Sequence, residues 1–159
     1  MNKLAVVLYK SQAAVIADRD GEKYIIKFCT QSATSTGKKA VYGEQKVREK
    51  DVVLLHQGQC SSLETVLDFS DSELQNQIDE TYELLQSDIS TATAPLSICE
   101  LAEYARGSFD ADSSWAFYSA VLSNSHFVLN AEEFKNGKII FTPRTQFEID
   151  AINKKKKLP

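Results

Sequence analysis

Lysines, arginines and tyrosines interleave through the first third of the chain in a pattern that could hold nucleic acid. Lys3, Lys10, Lys23, Lys27, Lys38, Lys39, Lys46, Arg48 and Lys50 alternate there with Tyr9, Tyr24 and Tyr42. Cations neutralise phosphates and an exposed aromatic ring stacks on an unpaired base, which is how single-strand binders work. The candidate RNA contacts are therefore those nine cations with Tyr9 and Tyr42. Tyr24 falls on the apolar face of a strand and is assigned to the core. The competing use of the same charges is simply to keep the outer face of a small sheet in water.

Other chemistry is weakly signalled. Ser35-Thr36-Gly37-Lys38-Lys39 resembles a phosphate loop, but Ser32 stands where the motif needs its first glycine and Lys39 where it needs Ser or Thr. Asp110-Ala111-Asp112 lacks the remaining ligands of a calcium loop and reads as a polar helix start, with Asp112 near the positive end of the dipole. His56 and Cys60 are two potential metal ligands where a structural zinc needs four. They are assigned to packing at a strand end. His126 has no acid or nucleophile near it in sequence and is read as structural. A Ser or Cys nucleophile would need a base and an orienting group, so no catalytic residue and no metal site are expected in these residues.

The elements that must position these groups follow from the charge and apolar patterns. The chain has 159 residues and a formal charge of −4. Residues 1–58 carry +4, residues 59–143 carry −11 and residues 144–159 carry +3. An acidic middle between basic ends suggests two modules with different partners. The three cysteines, Cys29, Cys60 and Cys99, form no C-x-x-C pair and read as reduced thiols. The apolar run Leu4–Leu8 is too short for a secretory core, and no run approaches the roughly 20 residues that span a bilayer. A cytoplasmic protein without membrane contact is expected.

Residues 1–58 read as about five short strands. Lys3–Tyr9 and Gln12–Ala17 are β-rich, Asp20-Gly21 signals a type I′ hairpin, and Lys23–Phe28 alternates with Tyr24, Ile26 and Phe28 on the core face. Ser32–Lys39 reads as a loop, and Ala40–Tyr42 and Asp51–Leu55 complete a small SH3-like β-barrel. Residues 59–69 form a connector holding a short helix over Leu63–Asp68. Residues 70–143 read as a winged helix-turn-helix. In that module Ser70 caps a helix over Asp71–Gln86 with Glu73 in a capping box, and Ser97 with Glu100 caps a second helix that Gly107 ends. Asp112 or Ser113 opens a third, packed through Trp115, Tyr118 and Leu122 in a stripe that Phe117 and Val121 widen. His126–Leu129 and Lys138–Thr142 follow as two strands joined through Asn136-Gly137. Residues 144–159 begin a basic helix or a linker to a missing domain. The third helix contains no Lys or Arg, so it is not expected to read duplex DNA. The expected fold class is α+β.

Within that order, four stretches carry a family likeness: Ile78-Asp79-Glu80-Thr81-Tyr82-Glu83-Leu84-Leu85, Glu100-Leu101-Ala102-Glu103, Trp115-Ala116-Phe117-Tyr118-Ser119-Ala120-Val121-Leu122-Ser123 and Phe141-Thr142-Pro143-Arg144. Following a small basic barrel and a connector through Leu67-Asp68-Phe69, they resemble the N-terminal region of one branch of the ribonuclease II/ribonuclease R-type exoribonucleases. The resemblance implies a parent hydrolase that degrades RNA from its 3′ end, one nucleotide at a time. Its catalytic domain would lie downstream and bind magnesium through a dense aspartate motif. Asp68-Phe69-Ser70-Asp71 is too sparse to be that motif, so no catalytic residue carries over. Magnesium is expected only in the absent catalytic domain. The function implied is that of an RNA-guiding accessory fragment of a 3′-5′ exoribonuclease, with single-stranded RNA and the downstream domain in cis as partners. The alternative is a protein-interaction or regulatory module that docks a partner through an acidic winged helix.

Overall fold

The computed structural model describes residues 2–31, 37 and 41–157. Five strands come first: β1 (Val6–Tyr9), β2 (Gln12–Asp20), β3 (Lys23–Gln31), β4 (Val41–Arg48) and β5 (Val53–His56), with a 3-10 turn over Glu49–Asp51 between the last two. Then follow α1 (Leu63–Asp68), α2 (Leu74–Gln86), β6 (Leu96–Ser97), α3 (Ile98–Arg106), α4 (Ala111–Ser123), β7 (Phe127–Leu129), α5 (Ala131–Lys135), β8 (Ile140–Pro143) and α6 (Gln146–Lys157). The chain is α+β. Two compact units divide it: the residues up to Ser70 with Asp110–Ala116, and Asp71–Phe109 with the residues from Phe117 onward. No helix among the described residues is long and apolar enough to cross a membrane.

In the first unit the strands form one antiparallel sheet in the order β4-β3-β2-β1-β5. Side chains alternate across a strand, and here both faces are buried. Ala5, Val7, Ala14, Ile16, Tyr24, Ile26, Val47 and Val52 form the core on one side. Val6, Leu8, Ala13 and Val15 are also buried, and α1, which contacts β2, buries its Leu63 and Val66. Ser62 caps α1 by accepting the Thr65 N–H. Ser61 gives its backbone N–H and hydroxyl to the Asp112 carboxylate at 2.6 and 2.7 Å. Asp112 thus holds the connector as well as standing in the first turn of a helix.

The sheet departs from the expected closed barrel. All the pairing of β5 is with β1, and no ladder joins β4 to β5 among the described residues. Strand β5 has four residues against the eight of β4, and its ladder lies on its β1 side. Strand β4 is far longer than the expected Ala40–Tyr42, because β3 offers it a partner from Lys23 to Gln31. The β2–β3 hairpin turns through Gly21-Glu22, with positive φ at Gly21 only, one residue later than expected. A two-residue loop with the left-handed residue first is the type II′ geometry.

In the second unit the short sheet has the order β6-β8-β7. Helix α2 packs on α3. Its Leu74, Ile78, Tyr82 and Leu85 are buried, as the 3.6-residue period demands. It starts at Leu74 rather than Asp71, because Asp71 turns back to accept the Glu73 N–H at 2.9 Å and takes Arg106 Nη1 at 2.8 Å. The expected capping box at Ser70 and Glu73 is therefore absent: Glu73 itself occupies the N-cap, and its carboxylate accepts from the Asn76 side chain rather than capping a backbone N–H. Helix α3 has the expected reciprocal Ser97–Glu100 box and ends at Gly107 with φ +81°. Of the expected α4 stripe in this unit, Phe117, Tyr118 and Val121 are buried, and Leu122 departs from it at 47% exposed. The Asn136-Gly137 hairpin is also corrected. Asn130 caps α5 by accepting the Glu133 N–H, and Asn136-Gly137 ends that helix.

His126 has an acid after all. Asp79, 47 residues earlier on α2, lies 3.0 Å from His126 Nδ1. The imidazole stacks on Tyr82 at 4.3 Å, and the Tyr82 hydroxyl donates to the Arg144 carbonyl. Asn124 donates to both Gln75 and Asp79. These bonds fasten the start of β7 to α2, the structural role expected of His126.

Candidate nucleic-acid interface

The β1–β2 hairpin turns through Lys10 and Ser11, which both have positive φ, +50° and +66°. Two left-handed residues make a type I′ turn, a position normally given to Asn-Gly because a Cβ there costs about 1–2 kcal/mol per residue. Here neither residue is glycine. The turn is set by Tyr9 pairing with Gln12 in the β1–β2 ladder. Its result is that Lys10 Nζ lies over the Tyr9 ring, 5.3 Å from the centroid. Charge and ring are presented together at one tip of the sheet.

Beside Tyr9 stands Phe28, with ring centroids 6.0 Å apart and planes at 45°. Both rings rest on the core and are half-buried, so each keeps an open part. Gly43 faces Phe28 across the β3–β4 ladder. A Cβ on Gly43 would come within 3.0 Å of Thr30 Cγ2 and 3.7 Å of the Phe28 ring, so the glycine lets this end pack closely without covering the ring. Phe28 was assigned to core by its alternation with Tyr24 and Ile26. The signal that separates it is its place at the end of the run, opposite a glycine.

The other candidate contacts divide between two ends of the sheet. Lys27 is committed: its ammonium is 3.2 Å from Glu64 Oε1 and 5.0 Å above the Tyr42 ring. Tyr42 is thus capped by a cation, and burial together with the neighbouring Glu64 pushes its phenol up from the ordinary value. The backbone N–H at its own helix start and the Lys27 ammonium hold Glu64 below the usual carboxylate range. At the far end, where Asp20, Lys23 and Arg48 share a row, Lys46 bonds Asp20 and lowers its pKa, and Arg48 pairs with Asp51 at 3.6 Å. Lys3, Lys10, Lys23 and Lys50 are exposed and have no ion pair among the described residues. Tyr24 is 4% exposed, as expected of core. Lys38, Lys39 and most of the phosphate-loop-like stretch lie outside the described residues.

Candidate metal ligands do not converge. His56 Nδ1 accepts the Gly58 N–H at 2.9 Å, which takes one ring nitrogen out of play. Burial raises the Cys60 thiol. No group of three or more His, Cys, Asp or Glu residues that could hold a metal ion occurs among the described residues. What the geometry at the β1–β2 tip can do is bind, through a π surface and a cation.

No family model, curated protein or solved structure matches the chain.

Proposed function

We propose that the chain binds single-stranded RNA through the Tyr9–Phe28 step and Lys10, as an RNA-guiding accessory region of the ribonuclease II/R type. The observation that carries this reading is the pair of half-buried rings, with Lys10, which has no ion pair among the described residues, held over the Tyr9 ring by a strained turn. Strain of this kind persists where the surrounding structure holds it and is concentrated at functional positions. Rings stack on any base, so the expected recognition is of unpaired strand rather than of sequence.

The order of elements supports the two finer fold readings. A five-strand meander in which β5 returns beside β1, after a single 3-10 turn, has the strand order of an SH3-like barrel left partly open. The support for a winged helix-turn-helix is the order α2, β6, α3, α4, then β7 and β8 with the short α5 between them, in a sheet ordered β6-β8-β7. On this reading α4, without Lys or Arg, does not enter a groove of DNA. Hydrolysis and its magnesium belong to a catalytic domain acting in cis in the cytoplasm, and this region steers RNA toward it.

The test is a titration of salt against a short fluorescent single-stranded RNA. Binding is expected at low salt and weakens linearly on logarithmic axes, by about 0.7 per phosphate engaged. Absence of binding at low salt removes the RNA reading and leaves the protein-docking alternative, which the exposure of Leu122 on the acidic module favours.

A further inference from the structure

Strand β4 closes one side of the five-stranded sheet and, among the described residues, has no strand along its outer edge. It is eight residues long, from Val41 to Arg48, with no proline. Natural proteins guard such an edge because its free N–H and C=O groups template another strand. Its charged residues carry both signs rather than one, and two of them, Lys46 and Arg48, are paired within the chain to Asp20 and Asp51. Tyr42, Glu44, Lys46 and Arg48 lie on one face of the strand, and Glu44 has no ion pair among the described residues, since its cross-strand neighbour Lys27 turns to Glu64.

We propose that β4 is a self-recognition edge, at which two copies of the chain pair antiparallel about a twofold axis through Gln45. In that register Glu44 of each copy faces Lys46 of the other, which must share its ammonium between that carboxylate and Asp20 of its own copy, while Tyr42 faces Arg48 and Gly43 faces Val47. Every contact occurs twice, and opposite charges directly across an antiparallel pair are stabilising while like charges are not. The axis is specified by the charges. Moved one residue toward the N-terminus it sets Glu44 against Glu44, and one residue the other way it sets Lys46 against Lys46. The same-face relation is kept, so the joined sheets continue through ten strands without turning the apolar face outward. The opposite edge, β5, offers four residues and no charged pair.

Sedimentation equilibrium over a range of protein concentrations tests the pairing. The wild type is expected to form a concentration-dependent dimer. Glu44→Lys and Lys46→Glu each place like charges across both pairs and are expected to weaken it by about tenfold or more. An equimolar mixture of the two variants is expected to associate again, because each lysine then faces a glutamate. A general folding defect cannot produce that rescue, and hydrogen exchange of the wild type adds an independent reading, with protection of the Gly43–Val47 amides rising with concentration. A monomeric wild type at about 1 mM, single variants that dimerise like wild type, or a mixture of folded variants that stays monomeric would each overturn the proposal.

Discussion

At the scale of single residues, the proposed binding reading makes the β1–β2 turn a place where stability and affinity meet. Lys10 and Ser11 sit in a backbone region that β-carbons disfavour, and the sequence offers no Asn-Gly to announce the turn. Ser11→Gly is expected to raise stability by about 1 kcal/mol, read as a higher melting temperature, with little loss of RNA affinity because the Lys10 ammonium stays. Asn-Gly at both positions is expected to stabilise further but to weaken RNA binding, since the cation over Tyr9 is gone. The reverse case is Gly107, left-handed at the end of α3 with no atom within 4 Å of a built Cβ. Gly107→Ala is expected to cost about 1 kcal/mol through backbone conformation alone, measured by denaturant midpoint. Gly107 was legible because a glycine after an amphipathic run has one common meaning. Phe28 was not, because a period-two pattern says which face a ring is on and nothing about how far the core extends beneath it.

At the scale of elements, capping sequences are ambiguous when two acids compete. Ser97 and Glu100 cap α3 as read, whereas the same spacing at Ser70 and Glu73 fails because Asp71 is drawn to Arg106 and the Glu73 N–H. That tertiary pull also gives a pH dependence. The Arg106 guanidinium, first among its neighbours, holds the Asp71 carboxyl below its ordinary value of 3.8, so the folded chain takes up that proton less readily than the unfolded one. The contribution is therefore complete above that ordinary value and is lost as pH falls through the lower folded value. Asp71→Asn is expected to lower the melting temperature at neutral pH and to converge on wild type in acid, below about pH 4. A constant difference at all pH values would show that the ion pair is not the cause. Most strand and helix types were readable from periodicity; the partners of β4 and the Asp79–His126 contact were not, because each depends on residues far away in sequence, and α5 was missed because Asn136-Gly137 reads as a hairpin as readily as a helix end.

At the scale of the whole molecule, the bland net charge conceals an uneven distribution. The first module carries +4 and the second −11. Much of the basic charge is already spent: Lys27, Lys46 and Arg48 hold Glu64, Asp20 and Asp51. Counting lysines therefore overstates the RNA surface, and composition could not reveal this, since an ion pair within a module leaves its net charge unchanged. The account places recognition on two rings and a few free cations, of which Lys10 is the one beside the rings. The most direct test is the affinity of wild type and Tyr9→Ala for the same short single-stranded RNA at low salt, with circular dichroism to verify folding. The account predicts that Tyr9→Ala weakens binding by about 10- to 100-fold, the worth of one base–aromatic stack, while the salt slope stays that of wild type. Equal affinity of the two proteins for RNA would contradict it.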